Sequence, residues 1–153
     1  HALDLIWWLT GQPFDEIYCV TDTTKPDSTD EEIMWSIGRL ADGTTFQCSD
    51  AATGMAQNNL TIQGLKQNLW FEGGAKKPRL WIKEEGKELQ LAEEVAVPTE
   101  PPGGGKTAHL MEVLLEGKPS RATLRDARMS LAAAIAAKKS ALENRVVKLS
   151  ELD

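Results

Sequence analysis

A series of short apolar segments, each ended within a few residues by a turn, constrains this chain more than any other feature. Glu32–Ala41 alternates, with Ile33, Trp35 and Ile37 on one side and Met34, Ser36, Gly38 and Leu40 on the other. That period of two marks a half-buried strand. Asp42-Gly43 follows and reads as a type I′ hairpin turn, which requires positive φ. The return strand covers Thr44–Asp50, and an earlier strand covers Phe14–Val20. Leu60–Gly64, Leu69–Glu72, Leu80–Lys83 and Glu88–Ala92 read as further strands, parted by Gly73-Gly74 and Glu85-Gly86. Connections this short cannot hold crossover helices, so the strands run antiparallel.

Helices flank this meander. The apolar block Leu3–Leu9 ends at Gly11 and Pro13, a normal helix stop. Thr21–Asp30 is polar and reads as an exposed loop. Val97–Gly105, rich in Pro and Gly, reads as a flexible joint. Lys106–Glu116 places Leu110, Val113 and Leu114 on one helical face, with Gly117-Lys-Pro119 as its stop. Thr123-Leu-Arg-Asp126 resembles a capping box with Asp in place of Glu. It opens the longest helix, which Asn144 closes in a left-handed conformation, and Val146–Leu149 is a last strand. The expected fold class is α+β: an open, predominantly antiparallel sheet with helices on one face, in a single domain over residues 1–153.

Composition excludes several function classes. A net charge of −6 with scattered Lys and Arg disfavours a sequence-independent grip on nucleic acid. The longest apolar stretch, Leu131–Ala137, is too short to cross a bilayer. Cys19 and Cys48 lie in different strands and read as reduced thiols of a cytoplasmic protein. Two distant histidines and two distant cysteines show no metal-ligand spacing. Gly103-Gly-Gly-Lys106-Thr107 looks like the end of a phosphate loop, but Glu100 stands where the first glycine belongs, and prolines interrupt any strand leading into it. No Gly-x-Gly-x-x-Gly follows a strand, so the chain has no dinucleotide site of its own.

The chemistry-bearing candidates lie at the start. His1, Asp4, Leu5 and Trp8 follow the spacing i, i+3, i+4, i+7, which puts an imidazole and a carboxylate on one helical stripe. No residue precedes His1 to cap the first turn, and the chain reads as the back part of a longer protein. His1-x-x-Asp4-x-x-x-Trp8-Leu-x-Gly11 resembles a helix of the glucose–fructose oxidoreductase/inositol dehydrogenase (Gfo/Idh/MocA) family. Ile33–Gly43, Asn59–Gly64 and His109–Pro119 resemble that family's later segments in order and spacing.

The resemblance implies the C-terminal domain of an NAD- or NADP-dependent oxidoreductase that lacks its N-terminal dinucleotide-binding domain. It implies a sugar or polyol as substrate and His1 as acid/base, a role that suits imidazole because its pKa lies near operating pH. Asp4 would support His1 from one turn away, and His109 would approach the substrate. Without the resemblance, both histidines read as ordinary packed or exposed residues. The fragment alone is expected to be inactive.

Trp35, Trp70 and Trp81 lie on strands. They are either ordinary core or part of an exposed apolar face used for association. The resemblance implies a homo-oligomer, a dimer or a tetramer, formed through the sheet face. A non-catalytic dimerisation module, with His1 incidental, is the alternative.

Overall fold

The computed structural model describes residues 1–23, 26–28, 31–51, 59–73, 78–86, 93–97 and 105–152. In chain order its elements are α1 (Ala2–Thr10), β1 (Phe14–Asp22), β2 (Ile33–Leu40), β3 (Thr45–Ala51), β4 (Asn59–Gln63), β5 (Gln67–Glu72), β6 (Arg79–Glu84), β7 (Glu93–Val95), α2 (Gly105–Glu116), α3 (Leu124–Glu143) and β8 (Val147–Lys148). The class is α+β with antiparallel strands, as expected. Hydrogen bonding divides those strands between two four-stranded ladders, β3-β2-β1-β8 and β4-β5-β6-β7. The chain forms two compact units, His1–Gly54 with Arg121–Asp153, and Met55–Ser120. The strand expected at Glu88–Ala92 and most of the joint expected at Val97–Gly105 lie outside the described residues.

The first unit holds the buried core. One face of its sheet carries Ile17, Cys19, Ser36 and Leu40, all nearly inaccessible. Phe46 and Cys48 are partly buried beside them. Phe14 meets Phe46 edge to face, with ring centroids 5.3 Å apart. Above this face, α3 presents Ala133, Ala136, Ala137 and Ser140, its buried residues. Their spacing i, i+3, i+4, i+7 keeps small side chains on one stripe, which allows the helix to approach the sheet closely. Gly38 completes the fit. A Cβ there would stand 2.6 Å from Phe46 Cζ and would overlap the Glu16 carbonyl oxygen. Full burial of Ile17 alone contributes about 1.5–3 kcal/mol.

Ser140 shows how a polar side chain enters this core. Its hydroxyl accepts the Cys19 N–H at 2.9 Å and donates to the Arg145 carbonyl at 2.5 Å. Because β8 pairs with β1 only at Glu16 and Ile17, that N–H lies past the end of the ladder, and the serine supplies the acceptor that a buried amide requires. Asn144 takes φ 49° at the C-terminus of α3, as the sequence predicts, and its Oδ1 accepts the Tyr18 hydroxyl at 2.9 Å. Beyond it, Arg145 donates to both Glu151 oxygens at 3.1 and 2.7 Å, which ties the tail to the end of α3.

Two local expectations change. Thr21 and Asp22 extend β1, opposite Met34 and Ile33, so the polar loop begins later than composition suggests. The β2–β3 turn is not type I′. Asn144 is the only described non-glycine with positive φ, and Gly43 takes φ 89°, so Asp42 lacks the conformation that type I′ demands. Gly43 N–H bonds Leu40 O at 2.9 Å and Leu40 N–H bonds Thr44 O at 2.8 Å. This is a three-residue loop in which a type I turn is followed by a left-handed glycine bulge. Asp42 contributes its side chain instead, accepting the Thr44 N–H at 2.9 Å.

The described residues of the second unit form no comparable interior. Leu60, Phe71, Leu80 and Val95 stand in register across its four strands, as do Thr61, Trp70, Trp81 and Glu94 on the opposite face. Strand alternation therefore makes one face apolar and the other polar with paired indoles. Arg79 lies 4.4 Å over the Trp81 ring and donates to both Glu94 carboxylate oxygens at 3.4 and 3.3 Å. None of the side chains described in this unit is buried, and α2 leaves Leu110, Met111, Leu114 and Leu115 exposed.

None of the three strand tryptophans belongs to the buried core. Trp35 is 62% exposed, and Trp70 and Trp81 are half-buried.

Candidate functional site

His1 stands at the N-cap of α1 and is exposed. Its carbonyl accepts the first helical bond, from Leu5 N–H at 2.9 Å, while its side chain makes no capping bond. The imidazole is therefore not engaged in closing its own helix. α1 ends at Gly11, φ 62°, whose N–H bonds Trp7 O at 2.8 Å.

Asp4 lies one turn further along the same helix. Its carboxylate accepts the Ser130 hydroxyl of α3 at 2.6 Å. The described partner of Asp4 thus comes from α3. A second link lies three residues further along α1, where Trp7 Nε1 donates to Asp126 Oδ1 at 2.9 Å.

Asp126 is more heavily used than its place in a capping box suggests. Its Oδ2 accepts the Thr123 N–H and the Thr123 hydroxyl, each at 2.7 Å, and Thr123 Oγ1 accepts the Asp126 N–H in return. Hydrogen bonds from the Thr123 side chain and backbone, and then from the Trp7 indole, hold the Asp126 carboxyl down to about 2. Each of these donors favours the charged form. The capping box was legible in the sequence. The indole bond joins residues 119 positions apart, and nothing in the local pattern announces it.

His109 lies on α2, in the second unit, with little of its side chain exposed; its Nδ1 stands 3.6 Å from Glu112 Oε2. Glu112 also pairs with Lys118 at 3.2 Å.

Cys19 and Cys48 are both free. Each is in register with Ser36 on the intervening strand, so they stand two strand spacings apart, about 9.6 Å. That is beyond disulfide reach. Burial, with a smaller push from Cys19, raises the Cys48 thiol to about 11.

Among the described residues no group of three His, Cys, Asp or Glu side chains gathers as metal ligands would. No helix there is long and apolar enough to cross a membrane. Every described strand pair is antiparallel, so the described residues offer no parallel β-α-β crevice of the kind that seats a dinucleotide.

No protein-family model matches the sequence, and a search of curated proteins finds no match. Solved structures do match in fold. The aldose–aldose oxidoreductase of Caulobacter crescentus, solved with glycerol, superposes at a TM-score of 0.80 with 20% identity, over 95% of this chain and 44% of that one. The UDP-N-acetylglucosamine 3-dehydrogenase GnnA of Acidithiobacillus ferrooxidans gives 0.75 and 15%, over 90% and 43%. The WlbA dehydrogenase of Bordetella pertussis, solved with NADH and UDP-GlcNAcA, gives 0.70 and 19%, over 95% and 41%. The fold is thus one found within oxidoreductases. The chain spans less than half the length of each of these proteins.

Proposed function

We propose that this chain is the substrate-binding and assembly portion of an NAD(P)-dependent oxidoreductase of the Gfo/Idh/MocA type, acting on a secondary alcohol of a sugar or polyol. The observation that carries this reading is the fold match over nine-tenths or more of the chain to parts of sugar-linked dehydrogenases. The His1-x-x-Asp4-x-x-x-Trp8-Leu-x-Gly11 helix supports it.

The described residues do not fit a dinucleotide, so the cofactor would be held by a portion of the protein outside them. Once bound, the nicotinamide would supply the hydride chemistry. This chain's task is the proton: the exposed imidazole of His1 would accept it from the substrate hydroxyl, or return it, near neutral pH. Asp4 would support that role by fixing the helix, and His109 would contact substrate. The 153-residue chain alone would have no turnover, and the protein would work in the cytoplasm.

Assembly would use the outer face of the β1–β3 sheet. Val20, Trp35 and Ile37 are 48%, 62% and 56% exposed there. In register, Val20 sits beside Trp35, and Tyr18 beside Ile37. Contiguous exposed apolar surface of this kind marks an interaction site. The same patch is what favours the alternative of a purely non-catalytic dimerisation module.

The discriminating experiment assays the gene product that contains this chain for NAD- and NADP-linked oxidation of a panel of aldoses, polyols and nucleotide sugars, beside the isolated chain. Turnover by the former and none by the latter supports the enzyme. Absence of nicotinamide binding by both, with concentration-dependent dimerisation abolished by Trp35→Asp, supports the module.

A further inference from the structure

Two polar links join α1 to α3, one through Asp4 on the stripe that begins at His1 and one through Trp7 on the adjacent face. Ser130 donates to Asp4 at 2.6 Å, and Trp7 donates to Asp126 at 2.9 Å. Along α1 the partners run 4 then 7; along α3 they run 130 then 126. The helices are therefore antiparallel at this contact, and the links form successive rungs on facing i, i+3 and i, i+4 rows.

Apolar packing alone would fix α1 weakly. Only Leu3 of this helix is buried, with Ile6 and Trp7 partly buried against the core, while Leu5, Trp8 and Leu9 are exposed. Hydrophobic contact is non-directional, so it permits rotation and sliding. One residue of slip moves the helix about 1.5 Å along its axis and turns it about 100°. Hydrogen bonds have narrow geometry, and two of them set both rotation and axial position. The acceptor of the second rung is itself rigid, because the Thr123 backbone and hydroxyl both hold Asp126 Oδ2 and leave Oδ1 for the indole.

We propose that Asp126 and Ser130 are positioning residues for His1: acting through Trp7 and Asp4, they set the rotation and axial register of α1, and hence the place at which the imidazole meets the substrate hydroxyl. The inference rests on the reading of His1 as the acid/base group. It assigns a function to a capping carboxylate and a helix serine that a local reading leaves as structural. It also gives Asp4 a role that runs through α3.

The test uses the gene product that contains this chain, with Ser130→Ala, Trp7→Phe, the double variant, His1→Ala and a stability control, Asn144→Ala. The control strains the far end of α3 and touches neither rung. Each protein is assayed well below its Tm for kcat, substrate KM, nicotinamide Kd and the pH profile of kcat. Misplacement of a reacting group by 1 Å can cost on the order of a hundredfold. The double variant should accordingly lose about a hundredfold in kcat, with KM and Kd within about twofold, whereas Asn144→Ala lowers Tm and leaves kcat in place. If Trp7→Phe fails to fold, Ser130→Ala alone carries the test, since it removes a single hydroxyl. A kcat loss no greater than the control's overturns the positioning role. His1→Ala separates the two layers. Retained turnover in that variant overturns the acid/base reading itself, while its loss beside an unaffected rung variant overturns only the positioning role.

Discussion

The two units of this chain solve the problem of an antiparallel sheet in different ways. The first covers one sheet face with a helix whose contact stripe is Ala133, Ala136, Ala137 and Ser140, and among the described residues every buried apolar one belongs to it. The second places Leu60, Phe71, Leu80 and Val95 in one row, with none of them buried. Its described cohesion comes from cross-strand pairs and from Arg79, which sits on Trp81 and binds Glu94. In the first unit, small side chains on α3 let the helix approach the sheet closely.

Truncation should separate the units most sharply. Ile17→Ala empties a fully buried site and is expected to cost about 2–5 kcal/mol. Leu80→Ala, on the half-buried face of the second unit, is expected to cost about 1 kcal/mol or less, the scale of a cross-strand pair. Chemical denaturation monitored by hydrogen exchange in each unit reads both, and equal losses would remove the distinction. Gly38→Ala ranks next, at about 1–3 kcal/mol, because a Cβ there meets the Glu16 carbonyl and the Phe46 ring. A stabilised or unchanged variant would show that β2 and β3 are looser than described.

Acid should act on the first unit. The Asp126 carboxyl, held down by Thr123 and Trp7, and the Glu151 carboxyl, held down by Arg145 and the Lys148 N–H, both titrate at about 2. Their folded values lie below the unfolded ones. The stability they contribute is therefore complete above about pH 4.5 and is lost as pH falls toward 2. Acid titration of the Trp7→Phe variant should show a weakened dependence in that window, read by the Tm between pH 5 and 2. A Tm independent of pH there in the parent would contradict it.

The smallest effect concerns Cys48, whose thiol burial raises to about 11. At pH 8 only roughly one such thiol in a thousand is ionised. Maleimide or disulfide reagents should label it slowly until the first unit opens. Fast labelling at pH 8 would place Cys48 outside the core.

What the sequence announced and what it hid divide by distance along the chain. The stop at Gly11, the box from Thr123 to Asp126 and the left-handed Asn144 each depend on side chains within a few residues of the backbone they serve, and all were legible. The Asp42-Gly43 turn was legible as a turn but not by type, because both loop geometries use a left-handed glycine and only the flanking register distinguishes them. The Trp7–Asp126 and Asp4–Ser130 links join positions more than a hundred residues apart. The division of the strands between two ladders likewise depends on tertiary pairing, which alternation cannot encode. His1 and Asp4 were visible as a stripe, yet the partner of Asp4 came from another helix.

The proton-transfer role of His1 is tested most directly by the pH dependence of kcat for the gene product containing this chain, compared with His1→Ala at saturating nicotinamide cofactor and substrate. General acid–base catalysis predicts a loss of about 10²–10⁴-fold, with cofactor affinity kept and the near-neutral limb of the pH profile abolished. Turnover within about twofold of the parent, with that limb intact, would contradict it.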